Sequence, residues 1–214
     1  MGRSELEWML LSFGAGVLLT LGAVILWTRR ERQQRRALER QAVTDFLTGL
    51  YNRSCFEQTL RREVAASLRE GHPTSLLLLD LDDFKRVNDA YGHPAGDEVL
   101  RRFGELLRSQ CRQSDFPVRY GGEEFAVILP HTGAEGARRA AERLRAALSQ
   151  GPWTSAHPPL NLTVSIGSAT CPADATDVES LVRAADAALY AAKRAGKDGF
   201  RAYAEGRNEV MESW

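Results

Sequence analysis

The stretch SLLLLDLDDF, residues 75–84, decides the fold, because it joins a run of four leucines to a cluster of carboxylates. A short continuous apolar run bounded by Gly and Pro is typical of a strand that is buried on both faces. Asp80 closes this strand, and a lone buried carboxylate is costly unless it is paired or binds a metal. Side chains alternate along a strand, so Asp80 and Asp82 should face the same way. Asp82 or Asp83 could instead cap the following helix, and we favour capping for Asp83.

Strand and helix patterns alternate outward from this stretch across residues 44–204, which predicts one domain of ordinary size. Helical patterns cover residues 55–68, 84–91, 96–111, 135–148 and 177–195. Strand patterns cover residues 75–81, 116–120, 123–129, 162–170 and 199–203. We therefore predict an α/β domain of the α+β sandwich type, in which helices flank a central, mostly antiparallel sheet.

An uncharged apolar segment near the start predicts one transmembrane helix. Residues 8–27 carry no charge and have a tryptophan at each end, and a helix of that length spans about 30 Å of hydrocarbon. Residues 28–43 form a basic helical linker, which the positive-inside bias keeps in the cytoplasm, with residues 1–7 outside. We expect a single-pass protein of the inner (cell) membrane, with the domain of residues 44–204 in the cytoplasm. A cleaved signal peptide is disfavoured, because acidic residues precede the apolar run and it lacks a clean cleavage site.

Composition excludes several other classes of protein. Lys plus Arg and Asp plus Glu both number 28, so no global charge indicates a nucleic-acid partner. Apolar residues make up 43% and charged residues 26%, which allows a sizeable core. Three cysteines, Cys55, Cys111 and Cys171, are too far apart for a zinc site and suit reduced thiols. Residues 205–214 form a tail without a readable motif.

The stretch RYGGEEF, residues 119–125, supplies a second source of carboxylates. Its two glycines read as a two-residue hairpin turn, which allows positive φ and close approach of a ligand. Two glutamates follow directly and place one carboxylate on each face at the rim of the sheet. A Gly-Gly hairpin alone usually marks only a turn. Beside a strand that ends in Asp80, it predicts a hard-oxygen site for Mg²⁺, with Mn²⁺ as the alternative, completed by substrate phosphates.

Six ordered stretches carry a family resemblance. They are DFLTGLYNR (45–53), LDLDDFK (79–85), NDAYGH (88–93), GD (96–97), RYGGEEF (119–125) and ADAALYAAK (185–193). Together they resemble the GGDEF family of diguanylate cyclases, in its GGEEF form, over about residues 44–203. The resemblance implies a palm-like nucleotidyl-cyclase fold and a signalling enzyme that condenses two GTP into cyclic di-GMP and two pyrophosphates. It also implies a homodimer in which two domains, each holding one GTP, meet head to tail.

The resemblance assigns roles to residues by position. The residues implied to hold Mg²⁺ are Asp80, Glu123 and the Leu81 carbonyl, and Glu124 would help either with the metal or with activating the 3′-hydroxyl. The residues implied to hold GTP are Asn88 and Asp97 at the guanine edge, Phe84 and His93 near them, and Lys85, Lys193 and Lys197 at the triphosphate. Gly121 and Gly122 would let the ribose and α-phosphate approach the backbone, and with the two glutamates they form the implied catalytic set.

Ordinary structural roles stay open for several of these residues. Lys193 and Lys197 lie near a predicted helix C-terminus, where the dipole favours cations. Asn88 and Asp97 could be helix caps. His93 alone is more often a structural or surface histidine. The family often has Arg at the position of Lys197, and lysine keeps the charge but loses the bidentate fork.

A second ligand site is implied by Arg112 and Asp115, which form an Arg-x-x-Asp motif with five residues between its end and Gly121. The motif matches the product-inhibition site of the family. Arginine suits a phosphate or a guanine Hoogsteen edge, and aspartate suits guanine N1 and N2. Arg139 and Arg143 match positions that complete this site from a neighbouring domain in relatives. The resemblance thus implies feedback inhibition by cyclic di-GMP, whereas the motif alone would usually be a surface pair.

Two other functions compete with the leading hypothesis. A catalytically inactive receptor of the same fold would bind GTP or cyclic di-GMP without turnover, and the intact carboxylates argue against it. A polymerase-like or adenylyl-cyclising enzyme on a related fold is opposed by Asn88 and Asp97, which suit guanine.

Overall fold

The leucine run forms the central strand β1 (Thr74–Leu81) in this computed structural model, which describes Trp27, residues 43–151, Trp153 and residues 161–204. All eight residues of β1 are buried. The strand pairs on both sides with antiparallel neighbours, β3 (Glu124–Leu129) and β4 (Val164–Cys171). Both faces of β1 are covered, which explains why leucine occupies consecutive positions instead of alternating with polar residues.

The described residues form a five-stranded sheet in the order β2-β3-β1-β4-β5. Strand β2 (Phe116–Gly121) is antiparallel to β3, whereas the short strand β5 (Phe200–Ala202) is parallel to β4. The sheet is therefore mixed but mostly antiparallel, and helices flank it. This confirms the predicted fold class for the domain.

Five helices are present within the described residues: α1 (Arg53–Glu70), α2 (Phe84–Tyr91), α3 (His93–Gln110), α4 (Ala134–Leu148) and α5 (Val178–Arg194). Side chains at the start of two of them accept a backbone hydrogen bond, Asn52 from Cys55 and Asp177 from Ser180. Helix α3 begins three residues earlier than its apolar pattern predicts, because proline fits the first turn of a helix.

The strand alternation of β1 divides the core into two layers. Leu77, Leu79 and Leu81 pack in one cluster with residues of α2, α3 and α4. Leu76 and Leu78 pack in the other cluster with residues of α1 and α5. Because side chains alternate, this places the carboxylate of Asp80 on the α5 side of the sheet, at the end of a buried strand.

The predicted membrane helix (apart from Trp27), most of the basic linker and the C-terminal tail lie outside the described residues. The compact unit that contains the sheet begins at Val43. Among the residues that the structure describes, no helix combines the length and the apolar character needed to cross a membrane.

Candidate functional site

The candidate site lies where β1 ends and β3 begins. Asp80 is the register partner of Glu124 across the two strands. The backbone N–H of Leu81 donates to the carbonyl oxygen of Glu123 at 3.3 Å. These contacts bring together the two carboxylate stretches that lie about forty residues apart in the sequence.

The hairpin turn differs from its prediction in two ways. Strand β2 extends to Gly121, and a register shift lies between Arg119 and Gly121, so the turn falls at Gly122 and Glu123. Neither glycine has a positive φ, so that expectation is wrong. A Cβ atom added at Gly122 would meet no atom within 4 Å, whereas one at Gly121 would lie 3.0 Å from Glu124 Oε2. Gly122 therefore leaves open space above the turn and Gly121 leaves room for the Glu124 carboxylate, and neither glycine supplies a left-handed conformation.

Negative charge is concentrated at this rim. Asp80 is 8% exposed, and its Oδ2 lies 2.7 Å from Lys193 Nζ. Burial, the charge of Asp80 and the charge of Glu124 raise the pKa of Glu123, while Lys193 opposes them. The positive charge of Lys193 does not fully offset these effects, so the pKa of Glu123 stays raised. A bound cation would relieve this repulsion.

The donor chemistry of the rim fits a hard cation. Across the described part of the chain, no three or more His, Cys, Asp or Glu side chains converge as a metal site. The implied set contains the carboxylates of Asp80 and Glu123 and the carbonyl of Leu81, with Glu124 serving either the metal or the 3′-hydroxyl. Carboxylate and carbonyl oxygens are the ligands that Mg²⁺ takes alongside substrate phosphates. The residues present therefore suit Mg²⁺, and not a soft metal.

The two predicted guanine-reading residues lie on adjacent helices that pack closely. Asn88 lies within α2, and Asp97 lies in the second turn of α3, so neither residue caps a helix. A Cβ atom added at Gly96 would lie 2.0 Å from Asn88 Oδ1 and 3.2 Å from Phe84 Cζ. Only glycine allows this approach, which brings Asn88 beside the residue that precedes Asp97. Phe84 belongs to the buried core, and His93 is exposed at the start of α3.

The three predicted triphosphate lysines occupy different settings. Lys85 is exposed on α2. Lys193 reaches Asp80 directly, so it does more than complement the dipole of α5. Lys197 follows α5 and its Nζ lies 2.7 Å from Asp83 Oδ1. Its hydrogen bond to Asp83 raises the pKa of Lys197, and the same bond lowers the pKa of Asp83.

The capping role expected for Asp83 is wrong. Asp83 occupies the N-cap position of α2 with φ +55°, but its side chain makes no capping hydrogen bond. The left-handed backbone directs its carboxylate to Lys197 instead. Asp82 does not cap α2 either, because its carboxylate accepts hydrogen bonds from the hydroxyls of Thr163 and Ser165 at 2.8 and 2.7 Å.

Sequence reasoning missed an ion pair that joins the start of the domain to the hairpin turn. Nη1 of Arg119 lies 3.2 and 3.3 Å from the two carboxylate oxygens of Asp45. Nη2 of the same arginine donates to the carbonyl of Gly122 at 2.9 Å. Asp45 also accepts from the backbone N–H and the hydroxyl of Thr48. The sequence held one signal for this pair, since Asp45 and Arg119 both lie in stretches that resemble the family.

We expect the Asp45 pair to make stability depend on pH. Burial disfavours the ionised form of Asp45, but hydrogen bonds from Thr48 and the charge of Arg119 outweigh it and lower the pKa below 3.8. A lowered pKa contributes stability above 3.8, and that stability is lost as pH falls through the folded-state value. Asp45→Asn should therefore reduce the free energy of unfolding by about 1–3 kcal/mol at pH 7 and by much less near pH 3.

Urea unfolding of both proteins at the two pH values checks this expectation. The control is Glu57→Gln, which removes an exposed pair with Arg53 at 3.7 Å and should change stability little. A difference between wild type and Asp45→Asn that is equal at both pH values would contradict the ionic role.

The predicted inhibitory residues line one pocket. Asp115 is buried and accepts from the backbone N–H of Arg112 at 2.8 Å. Arg139 and Arg143 of α4 line the same pocket within one chain, so a neighbouring domain is not needed to bring the four side chains together. Arg143 Nη2 also donates to the carbonyl of Gln110 at 3.0 Å.

The three cysteines are free thiols, as expected from their spacing. Cys111 lies next to Arg112. Burial and the charge of Asp115 raise the pKa of its thiol to about 12. A thiol with so high a pKa is a poor nucleophile at neutral pH, so Cys111 adds no reactive group to the neighbouring pocket.

Comparison with known proteins identifies relatives of the whole domain. The family model described as "Diguanylate cyclase, GGDEF domain" matches residues 42–199. Diguanylate cyclase DgcP of Pseudomonas aeruginosa is 46% identical over 158 residues, which cover 74% of this chain and 23% of that protein. The chain spans less than half of the length of the curated relatives that it matches.

Solved structures with the same fold include two that bear on the site. The coiled coil and GGDEF domain of DgcB from Caulobacter crescentus, in complex with c-di-GMP, aligns with a TM-score of 0.70 at 33% identity, covering 87% of this chain and 98% of that chain. The active GGEEF domain of a diguanylate cyclase from Vibrio cholerae aligns with a TM-score of 0.67 at 32% identity, covering 71% and 96%. The chain therefore belongs to the GGDEF family of diguanylate cyclase domains.

Proposed function

We propose that this chain is a diguanylate cyclase that condenses two GTP into cyclic di-GMP and two pyrophosphates. The observation that carries the proposal is the meeting of Asp80, Glu123 and Lys193 at one rim of the sheet, beside the open turn at Gly122. Its family membership and the name of its relative DgcP agree with this activity. Its GGEEF form is also that of the Vibrio cholerae domain described as active.

The protein's own residues would bind and orient the nucleotide. Asp97 would accept from guanine N1–H and N2–H₂, and Asn88 would meet O6 or N3, a pattern that adenine cannot match. Lys85, Lys193 and Lys197 would offset the charge of the triphosphate. The open turn would admit the ribose and the α-phosphate. In phosphoryl transfer, such positioning and charge neutralisation account for most of the rate.

Mg²⁺ would be held by Asp80, Glu123 and the carbonyl of Leu81, where it would neutralise phosphate charge and polarise the bond under attack. In each half of the reaction, the oxygen of a 3′-hydroxyl forms a bond to the α-phosphorus of the other GTP, and the hydroxyl proton passes to a base, either Glu124 or water. The bond from that phosphorus to the bridging oxygen breaks, and pyrophosphate leaves. Glu124 is exposed at the same rim, where it is available either to this cation or to the attacking hydroxyl.

One domain supplies only half of such a site, because each GTP provides the nucleophile for the other. We therefore propose a head-to-tail homodimer of domains. The apolar segment of residues 8–27 and the arginines of the linker would hold the copies at the inner membrane, with the domain in the cytoplasm. Confinement in this way raises the effective concentration of one domain near the other.

Product identification tests this proposal. The purified chain is incubated with Mg²⁺ and either GTP or ATP, and products are separated and identified by mass. We expect cyclic di-GMP and pyrophosphate from GTP and no product from ATP. Nucleotide binding without turnover would instead indicate a receptor, and a cyclic mononucleotide or a polymer would indicate another enzyme on a related fold.

Gly96→Ala is expected to raise the KM for GTP by about tenfold. The added methyl would overlap Asn88 Oδ1, so Asn88 must leave the position from which it would reach guanine. The measurement is the initial rate as a function of GTP concentration. Gly133→Ala is the matched control, because its methyl would only touch Pro73 at 3.8 Å. An unchanged KM in Gly96→Ala would argue against guanine reading by Asn88.

Feedback inhibition by cyclic di-GMP is proposed for the pocket that Arg112, Asp115, Arg139 and Arg143 line. Arg112→Ala removes a guanidinium from this pocket, and it should weaken inhibition by at least about tenfold while the initial rate without product is retained. Initial rates at increasing concentrations of added cyclic di-GMP measure this. Superimposable inhibition curves for wild type and variant would exclude the pocket as the inhibitory site.

A further inference from the structure

The turn that follows α5 carries Lys197 in a strained backbone conformation. Gly196, Lys197 and Asp198 have φ values of +113°, +64° and +41° in succession. A left-handed conformation at a residue other than glycine costs on the order of 1 kcal/mol, and such residues persist only when their surroundings hold them. The direction of the Lys197 side chain therefore depends on what holds this turn.

The first anchor of the turn is the carboxylate of Asp82. Its Oδ2 accepts the backbone N–H of Asp198 at 3.0 Å. The same carboxylate accepts the hydroxyls of Thr163 and Ser165, and the backbone N–H of Asp82 donates to the Thr163 carbonyl at 2.9 Å. Asp82 is 7% exposed, so these bonds replace water almost completely. The turn is thus attached to a carboxylate that β4 and the residues before it hold in place.

The second anchor comes from the opposite direction. Arg145 of α4 donates through Nη2 and Nε to Asp198 Oδ1, at 2.9 and 3.3 Å, and through Nη2 to the carbonyl of Asp198. Its side chain is 30% exposed, so this clamp lies nearer to solvent than the Asp82 anchor. Together, the two anchors hold the backbone N–H, the carbonyl oxygen and the side chain of Asp198, which follows Lys197.

We propose that Asp82 is a positioning residue for the triphosphate of GTP and acts through Lys197. This inference rests on the proposed function for the assignment of Lys197 to phosphate. Asp82 does not itself reach the phosphates, because its carboxylate is occupied by the three donors described above. It fixes the turn so that the Lys197 ammonium lies at the junction of β1 and α2, next to Asp83.

An ionised carboxylate is well suited to this position. It accepts several hydrogen bonds and presents no donor of its own, whereas an amide directs an NH₂ group toward one of the converging donors. The hydroxyls of Thr163 and Ser165 can rotate to accept from that NH₂ group, but the backbone N–H of Asp198 cannot. With its amide oxygen facing Asp198, Asp82→Asn should therefore retain part of the anchoring of the turn. Asp82→Ala should lose this anchor completely.

The test compares binding of a triphosphate with binding of a monophosphate. The probes are the α,β-methylene analogue of GTP, in which the bond that would break is blocked, and GMP, and Kd is measured by calorimetry on the purified full chain with Mg²⁺. Asp82→Ala should weaken binding of the analogue by about tenfold and change that of GMP by less than about twofold. Asp82→Asn should give an intermediate loss for the analogue.

A double-mutant cycle separates positioning from general damage. If Asp82 acts through Lys197, then adding Asp82→Ala to Lys197→Met should cause no further loss of affinity for the analogue. Losses that multiply in the double variant, or an equal loss of GMP and analogue binding, would overturn the proposal.

Arg145→Gln keeps the proposal testable should Asp82→Ala not fold, since it weakens the same turn from the surface. It should weaken binding of the analogue by about threefold and leave GMP unchanged. The control is Arg69→Gln in α1. The Arg69 guanidinium forms an exposed ion pair with its chain neighbour Glu70. No loss for Arg145→Gln would count against the proposal. If wild type binds the analogue but forms no cyclic di-GMP, the enzymatic function fails while this test still stands.

Discussion

Replacing Glu123 with glutamine should reduce the formation of cyclic di-GMP from GTP by at least about a hundredfold. Glutamine keeps the shape of the side chain but removes the negative charge that would hold a divalent cation beside the phosphates. Burial and the charge of Asp80 raise the pKa of Glu123, and a bound divalent cation would favour its ionised form. The initial rate of product formation at saturating GTP and Mg²⁺ measures the effect.

Two controls make the Glu123 result specific. Glu105→Gln changes an exposed glutamate of α3 in the same way and should leave the rate unchanged. Glu123→Gln itself should unfold at the temperature of wild type or above it, because removing a disfavoured charge does not destabilise the fold. If the rate of Glu123→Gln is within about tenfold of that of wild type, then this carboxylate takes no essential part in the reaction.

Gly167→Ala should reduce the free energy of unfolding by at least about 3 kcal/mol, the largest stability effect that we expect. Gly167 lies in β4 beneath α5. An added Cβ atom would lie 2.1 Å from the Leu189 nitrogen and 2.4 Å from the Ala185 oxygen. Both are backbone atoms of α5, so the helix would have to move away from the sheet. Lys193, near the end of the same helix, would then move away from Asp80.

Urea unfolding followed by circular dichroism tests the Gly167 prediction. Gly133→Ala makes the same chemical change where the nearest atoms are at ordinary contact distances, and its stability should stay close to that of wild type. If the free energy of unfolding of Gly167→Ala equals that of Gly133→Ala, then α5 does not pack on β4 as closely as described.

The sequence was sufficient for the elements whose packing is periodic. The four leucines before Asp80 predicted a central strand, and the strand is buried throughout because helices cover both faces of the sheet. The five helices predicted within residues 44–204 were found, with ends that moved by up to three residues. Those ends depend on local chemistry that apolar patterns do not show. The hairpin turn lies one residue later in the chain than predicted, because the apolar pattern does not show the bulge in β2.

The candidate site was predictable only as far as its residues lie in short motifs. Asp80 and Glu123 could be placed together because Asp80 lies at the end of one predicted strand and Glu123 begins another. The pairs Asp45–Arg119 and Asp82–Asp198 join residues 74 and 116 positions apart, and no local pattern predicts such contacts. The likeness to the family did not reveal them either, although it did predict the residues that line the pocket at Arg112.

The central claim is that this site is one half of an enzyme that two copies complete. The most direct test is the rate of cyclic di-GMP formation per chain, measured from GTP and Mg²⁺ over a hundredfold or so range of protein concentration, with the product identified by mass. We predict that cyclic di-GMP is formed and that the rate per chain rises with concentration until the dimer is saturated. Absence of cyclic di-GMP at every concentration, or a cyclic mononucleotide formed at a constant rate per chain, would contradict the account.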